Sequence, residues 1–144
     1  MFYNDRNEKI IYVGSPEGSD AFSCLLAGVT CPNPDYRMVR APSREYIFEY
    51  VMEGRGWIET KEGRETVTAG TFYLIRKGAE ATYGADPAAP YGKIWLNADG
   101  TLISRMCDMF AAGPVLTASV NGHKTHETHQ NASPPGRQSA EGFV

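Results

Sequence analysis

From Phe22 to Ala98 the chain is written in short runs, alternating or apolar, rich in β-branched and aromatic residues and broken at close intervals by turn residues. The runs fall at 22–29, 36–41, 46–53, 56–61, 65–69, 71–76, 80–84 and 91–98, and each predicts a short strand. Between them stand Pro32-Asn33-Pro34-Asp35, Glu53-Gly54-Arg55-Gly56, Lys61-Glu62-Gly63-Arg64, Ala69-Gly70, Lys77-Gly78 and the stretch from Asp86-Pro87 to Pro90. These are turn sequences with a mechanism, glycine supplying the positive φ that tight antiparallel connections need. An all-β sandwich or barrel follows. On the strand 46–53 a period of two sets Tyr46, Phe48, Tyr50 and Met52 on one face, with Ile47, Glu49, Val51 and Glu53 on the other.

The flanks read differently. Residues 1–20 are polar apart from Ile10 to Val13 and end in Gly14-Ser15-Pro16 and Gly18, which predicts an extended arm. Between Asp99 and Gly113 the period changes to that of a helix: Leu102, Ile103, Met106, Met109 and Phe110 form one stripe, Asp99 or Thr101 offers a cap, and Gly113-Pro114 a stop. A helix this short needs that stripe buried, against the barrel or a second subunit. After Pro114 the pattern collapses. Residues 121–144 hold only Phe143 and Val144 as large apolar side chains, too few to offset the entropy of ordering. The expected organisation is an arm over 1–20, a binding domain over 21–112 and a polar, disordered tail over 113–144.

Composition narrows the classes. A chain of 144 residues with 42% apolar content suits one domain with a real core. The formal charge of −3 and the lack of any Lys/Arg run argue against nucleic-acid binding by this chain alone. Cys24, Cys31 and Cys107 are odd in number and have no CxxC spacing, so reduced thiols are expected rather than a disulfide framework or a zinc knuckle. The N-terminus has no basic start or apolar signal core, and no apolar run approaches the ~18 residues of a membrane span, which predicts a soluble, cytoplasmic protein.

Candidate chemistry is sparse. His123, His126 and His129 are the only histidines, and all lie in the tail, where no scaffold would fix metal ligands. The barrel therefore lacks the commonest metal ligand and the commonest neutral-pH base, and no metal or cofactor is expected. Nucleophile-elbow, P-loop and dinucleotide glycine motifs are missing. Glu49, Glu53, Glu59 and Glu80 read as solvated strand faces rather than a catalytic pair. The segment 91–97 is more telling. Tyr91, Lys93 and Trp95 share one face and Ile94 and Leu96 the other, so a barrel mouth here would offer an indole plate beside a cation. The alternative is a core Trp95 with Lys93 snorkelling to water. Arg37, Arg40 and Arg44 form a basic group upstream, read equally as a surface row paired with glutamates.

One family carries these features together. The aromatic-apolar strand ending in Gly54-x-Gly56, the Thr66-Val67-Thr68-Ala69-Gly70 turn into Phe72-Tyr73-Leu74-Ile75, the Gly78 turn, and Tyr83 before an Asp-Pro loop leading to Lys93-Ile94-Trp95 resemble the N-terminal effector-binding and dimerisation domain of AraC-type transcription regulators. The resemblance covers roughly residues 20–110 and implies a cupin-like barrel, a double-stranded β-helix or jelly roll, with an N-terminal arm over its mouth and a short C-terminal helix. It implies ligand-binding roles for Thr30, Arg40, Tyr83, Lys93 and Trp95. A histidine common in the family's pocket is Lys93 here, which leaves a sugar acid or other carboxylate as plausible a ligand as a neutral sugar. No counterpart of the family's helix-turn-helix units is recognisable, so the chain is expected to sense a small molecule, pair as a homodimer and not bind DNA by itself. Two other classes compete: a metal-free cupin enzyme, such as a sugar isomerase or lyase using Glu80, Tyr83 or Lys93, and an interaction protein that pairs with full-length relatives.

Overall fold

The alternating runs close into two facing antiparallel sheets in the computed structural model, which describes residues 2–4, 8–14, 20–110 and 113–120. The larger sheet has the order β1 (Phe2–Asn4), β2 (Glu8–Tyr12), β3 (Ser23–Thr30), β10 (Gly92–Asp99), β5 (Tyr46–Glu53), β8 (Thr71–Ile75) and β11 (Val115–Ser119). The smaller has the order β4 (Arg37–Arg40), β9 (Ala81–Ala85), β6 (Arg55–Thr60) and β7 (Gly63–Thr68). The chain passes repeatedly from one sheet to the other. Two corners, between β5 and β6 and between β7 and β8, turn on Gly54 (φ 67°) and Gly70 (φ 85°), a region that side-chain-bearing residues avoid.

Between the sheets lies an apolar core of Ile47, Val51, Ile58, Val67, Ile75, Ala81 and Ala85 with Tyr73, Tyr83 and Tyr91. A second cluster sits on the outer face of the larger sheet, where Tyr46, Leu74 and Ala98 receive Ile103 and Cys107 of α1 (Thr101–Phe110). The helix is thus held by an i, i+4 pair. The rest of the expected stripe faces solvent: Leu102, Met106, Met109 and Phe110 are exposed. The three cysteines are free. Among the described residues no helix is long and apolar enough to cross a membrane.

The eight expected strands occur with ends shifted by one or two residues. Three strands were not anticipated. β1 and β2 form an antiparallel hairpin that extends the larger sheet through β3, so the arm is sheet over part of its length. Residues 115–119, assigned by pattern to a disordered tail, pair with β8 as β11. Each segment is too short for a pattern of its own and takes its ladder from a strand already in place. The tail histidines and the remainder of the tail lie outside the described residues.

Candidate functional site

The inner face of the larger sheet carries a charge where a core residue would be expected. Lys93 lies on β10 between β3 and β5, opposite Thr30 on one side and Val51 on the other. Its side chain is wholly buried. The ammonium donates to the carboxylate of Glu49 on β5, which also accepts the Tyr73 hydroxyl from β8. Around it stand four rings, their centroids 4.5 Å away for Tyr83, 4.8 Å for Tyr36, 5.0 Å for Tyr91 and 5.8 Å for Tyr73. Rings at these distances present their negative faces to a cation. Tyr36 meets Tyr91 edge to face and Tyr73 meets Tyr83 likewise, so the rings brace one another.

Burial sets the electrostatics. Loss of water pulls the Lys93 ammonium below the ordinary lysine value, and Glu49 opposes that fall. The same loss of water, with the Glu49 charge, pushes the Tyr73 and Tyr83 hydroxyls well above the ordinary tyrosine value; for Tyr83 the Arg40 guanidinium works the other way. Tyr36 and Tyr91 are raised for the same first reason. All four are therefore neutral hydrogen-bonding phenols at physiological pH.

A second group of contacts lies beside this cluster. Arg40 Nε on β4 donates to the Tyr83 hydroxyl on the neighbouring strand β9 at 3.3 Å, within the smaller sheet. Glu8 of β2 reaches in from the arm, and one of its oxygens accepts from Thr30 Oγ1 at 3.1 Å and from the Tyr36 hydroxyl at 3.0 Å. Trp95 follows one step along the inner face of β10, its ring over the backbone of Gly28 on β3. Its indole nitrogen is buried without a hydrogen-bond partner in the protein, as is Asn97 Oδ1.

Of the expected site residues, Thr30, Arg40, Tyr83 and Lys93 are thus brought into one cluster between the sheets, while Trp95 flanks it. The sequence left open whether Lys93 reaches water, and it does not. Two expectations are corrected. Glu49, read as solvated, is 3% exposed, because its strand partner Trp95 and its ion partner Lys93 lie more than forty residues away and emerge only with the β5–β10 register. Glu80, offered as an acid or base, is exposed outside this cluster. Of the basic group, Arg37 and Arg44 are exposed and only Arg40 turns inward. Tyr36, Tyr73 and Glu8 were missed. The one signal for Glu49 was its place between Ile47 and Val51 on one face of the strand. Among the described residues there is no group of three or more His, Cys, Asp or Glu placed to hold a metal ion.

Comparison with known proteins fits this architecture. Residues 24–128 match the family model of the AraC-like ligand binding domain, and the chain belongs to that family. Its barrel is cupin-like. YhaK from Escherichia coli is similar over 79% of this chain and 51% of its own, at 14% identity and a TM-score of 0.58. A ToxT variant from Vibrio cholerae, in its apo form, is similar over 72% of this chain and 44% of its own, at 11% identity and a TM-score of 0.50. The chain therefore spans about half the length of these two structures. No curated protein matches the sequence significantly.

Proposed function

We propose that this domain senses a small molecule, a sugar or sugar acid, held between the two sheets, and that it serves as the effector-binding part of an AraC-type transcription regulator without chemistry of its own. The observation that carries the reading is the buried polar cluster of Lys93, Glu49, Arg40 and four tyrosines inside a barrel of that family. A buried ion pair is a poor way to hold a fold, since well-packed apolar residues do as well or better. Its use is recognition: fixed donors and acceptors beside aromatic faces suit hydroxyls and a ring. Thr30, Arg40, Tyr83 and Lys93 supply polar partners, and Trp95 supplies a plate with a spare N–H donor.

The test is a thermal-shift screen of the purified chain against sugars and sugar acids. A ligand at ~100 times its Kd adds about 2.7 kcal/mol to apparent stability. For the ligand found, Arg40→Ala and Trp95→Ala should each weaken binding by about 1–3 kcal/mol with little loss of fold. Unchanged affinity in both variants would remove the interior site. Turnover of a bound sugar would favour the enzymatic alternative instead.

Pairing as a homodimer belongs to the same proposal. Beside α1 the outer sheet face is a groove of about 700 Å³ lined by Ile11, Val29, Phe48, Phe72, Ile94 and Leu96. On α1 the apolar row Leu102, Met106, Met109 and Phe110 is exposed as well. The occupant that matches both is a second copy, whose own helix row and groove offer the same apolar surface in return. On its own the chain, with net charge −3, is not expected to bind DNA specifically. A cytoplasmic location goes with a regulator's role.

A further inference from the structure

The N-terminal arm places a carboxylate where a ligand's carboxylate would sit. Glu8 reaches the barrel from β2, and a single oxygen of it collects two hydroxyls from unrelated elements, Thr30 at the end of β3 and Tyr36 in the turn before β4. Thr30 is fully buried, and Tyr36 is held protonated by burial, so two neutral hydroxyls donate to one point. The charges nearby balance only with Glu8 in place. Lys93 and Arg40 are the cations and Glu49 and Glu8 the carboxylates, and the Glu8 charge acts on the Lys93 ammonium. Removing Glu8 leaves one positive charge in excess. The strand that carries it buries little apolar surface: Ile11 and Tyr12 are 45% and 50% exposed, and few buried apolar contacts mark a segment that opens below the global cost.

We propose that the Thr30 and Tyr36 hydroxyls form a carboxylate-binding subsite that the chain fills with its own Glu8, and that a carboxylate-bearing effector binds by displacing Glu8 together with β2. The inference deepens the interior-ligand reading and rests on it for the identity of the effector. It selects the acid over the neutral sugar. An effector carboxylate restores both hydrogen bonds and the charge balance, whereas a neutral molecule of the same shape leaves the excess charge unmatched. Displacement has a built-in signal, because Trp95 lies on Gly28 at the point where β2 pairs with β3 through Ile10.

The experiment has two arms on the full chain. In the first, Glu8→Ala is melted with sodium formate and with sodium chloride at equal ionic strength. Formate should refill the subsite and raise the melting temperature of Glu8→Ala by a few degrees beyond chloride, leave the parent unaffected, and lose its effect when Thr30→Val is added. In the second, D-glucuronate and D-glucose are titrated into the parent, Glu8→Ala and Glu8→Gln, each in a Trp57→Phe background, following Trp95 fluorescence. Glucuronate should bind both Glu8 variants roughly tenfold more tightly than the parent, the gain from removing a competing state that holds about nine molecules in ten, and glucose should not discriminate. No formate effect on Glu8→Ala beyond that of chloride overturns the subsite. Glucuronate binding of equal strength in parent and variants overturns self-occupation while leaving the interior site standing. Formate rescue with no binding of either sugar supports the subsite and overturns the sugar-acid reading.

Discussion

The two faces of the seven-stranded sheet invert the usual arrangement. On the inner face, away from water, β10 presents Lys93, β5 presents Glu49 and β8 presents Tyr73. On the outer face the same strands present Ile94, exposed, and Leu96, Phe48 and Phe72, half-buried. Lys93 and Ile94 are neighbours in sequence, yet the lysine is wholly buried and the isoleucine is 45% exposed. A fold minimising its own free energy in isolation would exchange them. The inversion supports the proposed reading, in which the inner face is written for a polar guest and the outer one for an apolar contact.

The sharpest way to break that contrast is alkaline titration. Tyr36, Tyr73, Tyr83 and Tyr91 hold their protons above the ordinary tyrosine value near 10, first because they are buried. Above that pH the unfolded chain releases protons that the folded chain keeps, so stability falls as pH rises. Each such proton is worth about 1.4 kcal/mol per pH unit, and four together approach a slope of roughly 5 kcal/mol per unit. Lys93, lowered in the fold, works in the opposite sense below ~10.4, the unfolded lysine value, and drops out above it. Urea midpoints measured from about pH 9 to about pH 11.5, with tyrosinate absorbance, check this. A flat profile would mean the rings are wet.

Next in size is the ion pair. Lys93→Met strands a buried carboxylate and should cost about 3–5 kcal/mol, whereas adding Glu49→Leu should return most of the loss, since the pair replaced together leaves no lone charge. Denaturant melts of the single and double variants decide it; a double variant as unstable as the single would show that the pair organises the fold itself. The smallest effect belongs one residue along. Ile94→Glu should change the stability of the monomer by no more than about 0.5 kcal/mol, because the side chain already meets water. Sedimentation should nonetheless show weaker self-association, on the order of tenfold, if this face pairs two copies.

The barrel was legible because its signals are local. Alternation and turn chemistry are written within each strand, so 46–53 coincides with β5 and 22–29 lies one residue from β3. α1 was legible for the same reason. Its orientation was not, because Ile103 and Cys107 are chosen over Leu102 and Met106 by the sheet beneath them. The cluster was half legible. Period two joined Tyr91, Lys93 and Trp95, and family resemblance added Thr30, Arg40 and Tyr83. What neither reached was the non-local half: Glu49 comes to Lys93 by register, Tyr73 arrives from a third strand, and Glu8 belongs to an arm whose pairing has almost no pattern of its own.

Three rings in this barrel rest on bare backbone. Trp95 lies on Gly28, Tyr91 on Gly56 and Trp57 on Gly84; a methyl group would come 2.6 Å from Trp95 Cζ2 at Gly28 and 2.7 Å from Tyr91 Cε2 at Gly56, and at Gly84 it would crowd Trp57 Cζ2 at 3.0 Å and meet the Tyr36 carbonyl oxygen at 2.8 Å. Each ring and its glycine are thus a single inherited unit, since neither can change first without a clash or a void. Among descendants of a common ancestor these six positions should drift least even where the ligand changes. A map of invariance drawn over the barrel would mark them as strongly as the residues that touch the effector, and the glycines would mark flat ground for a ring instead of chemistry.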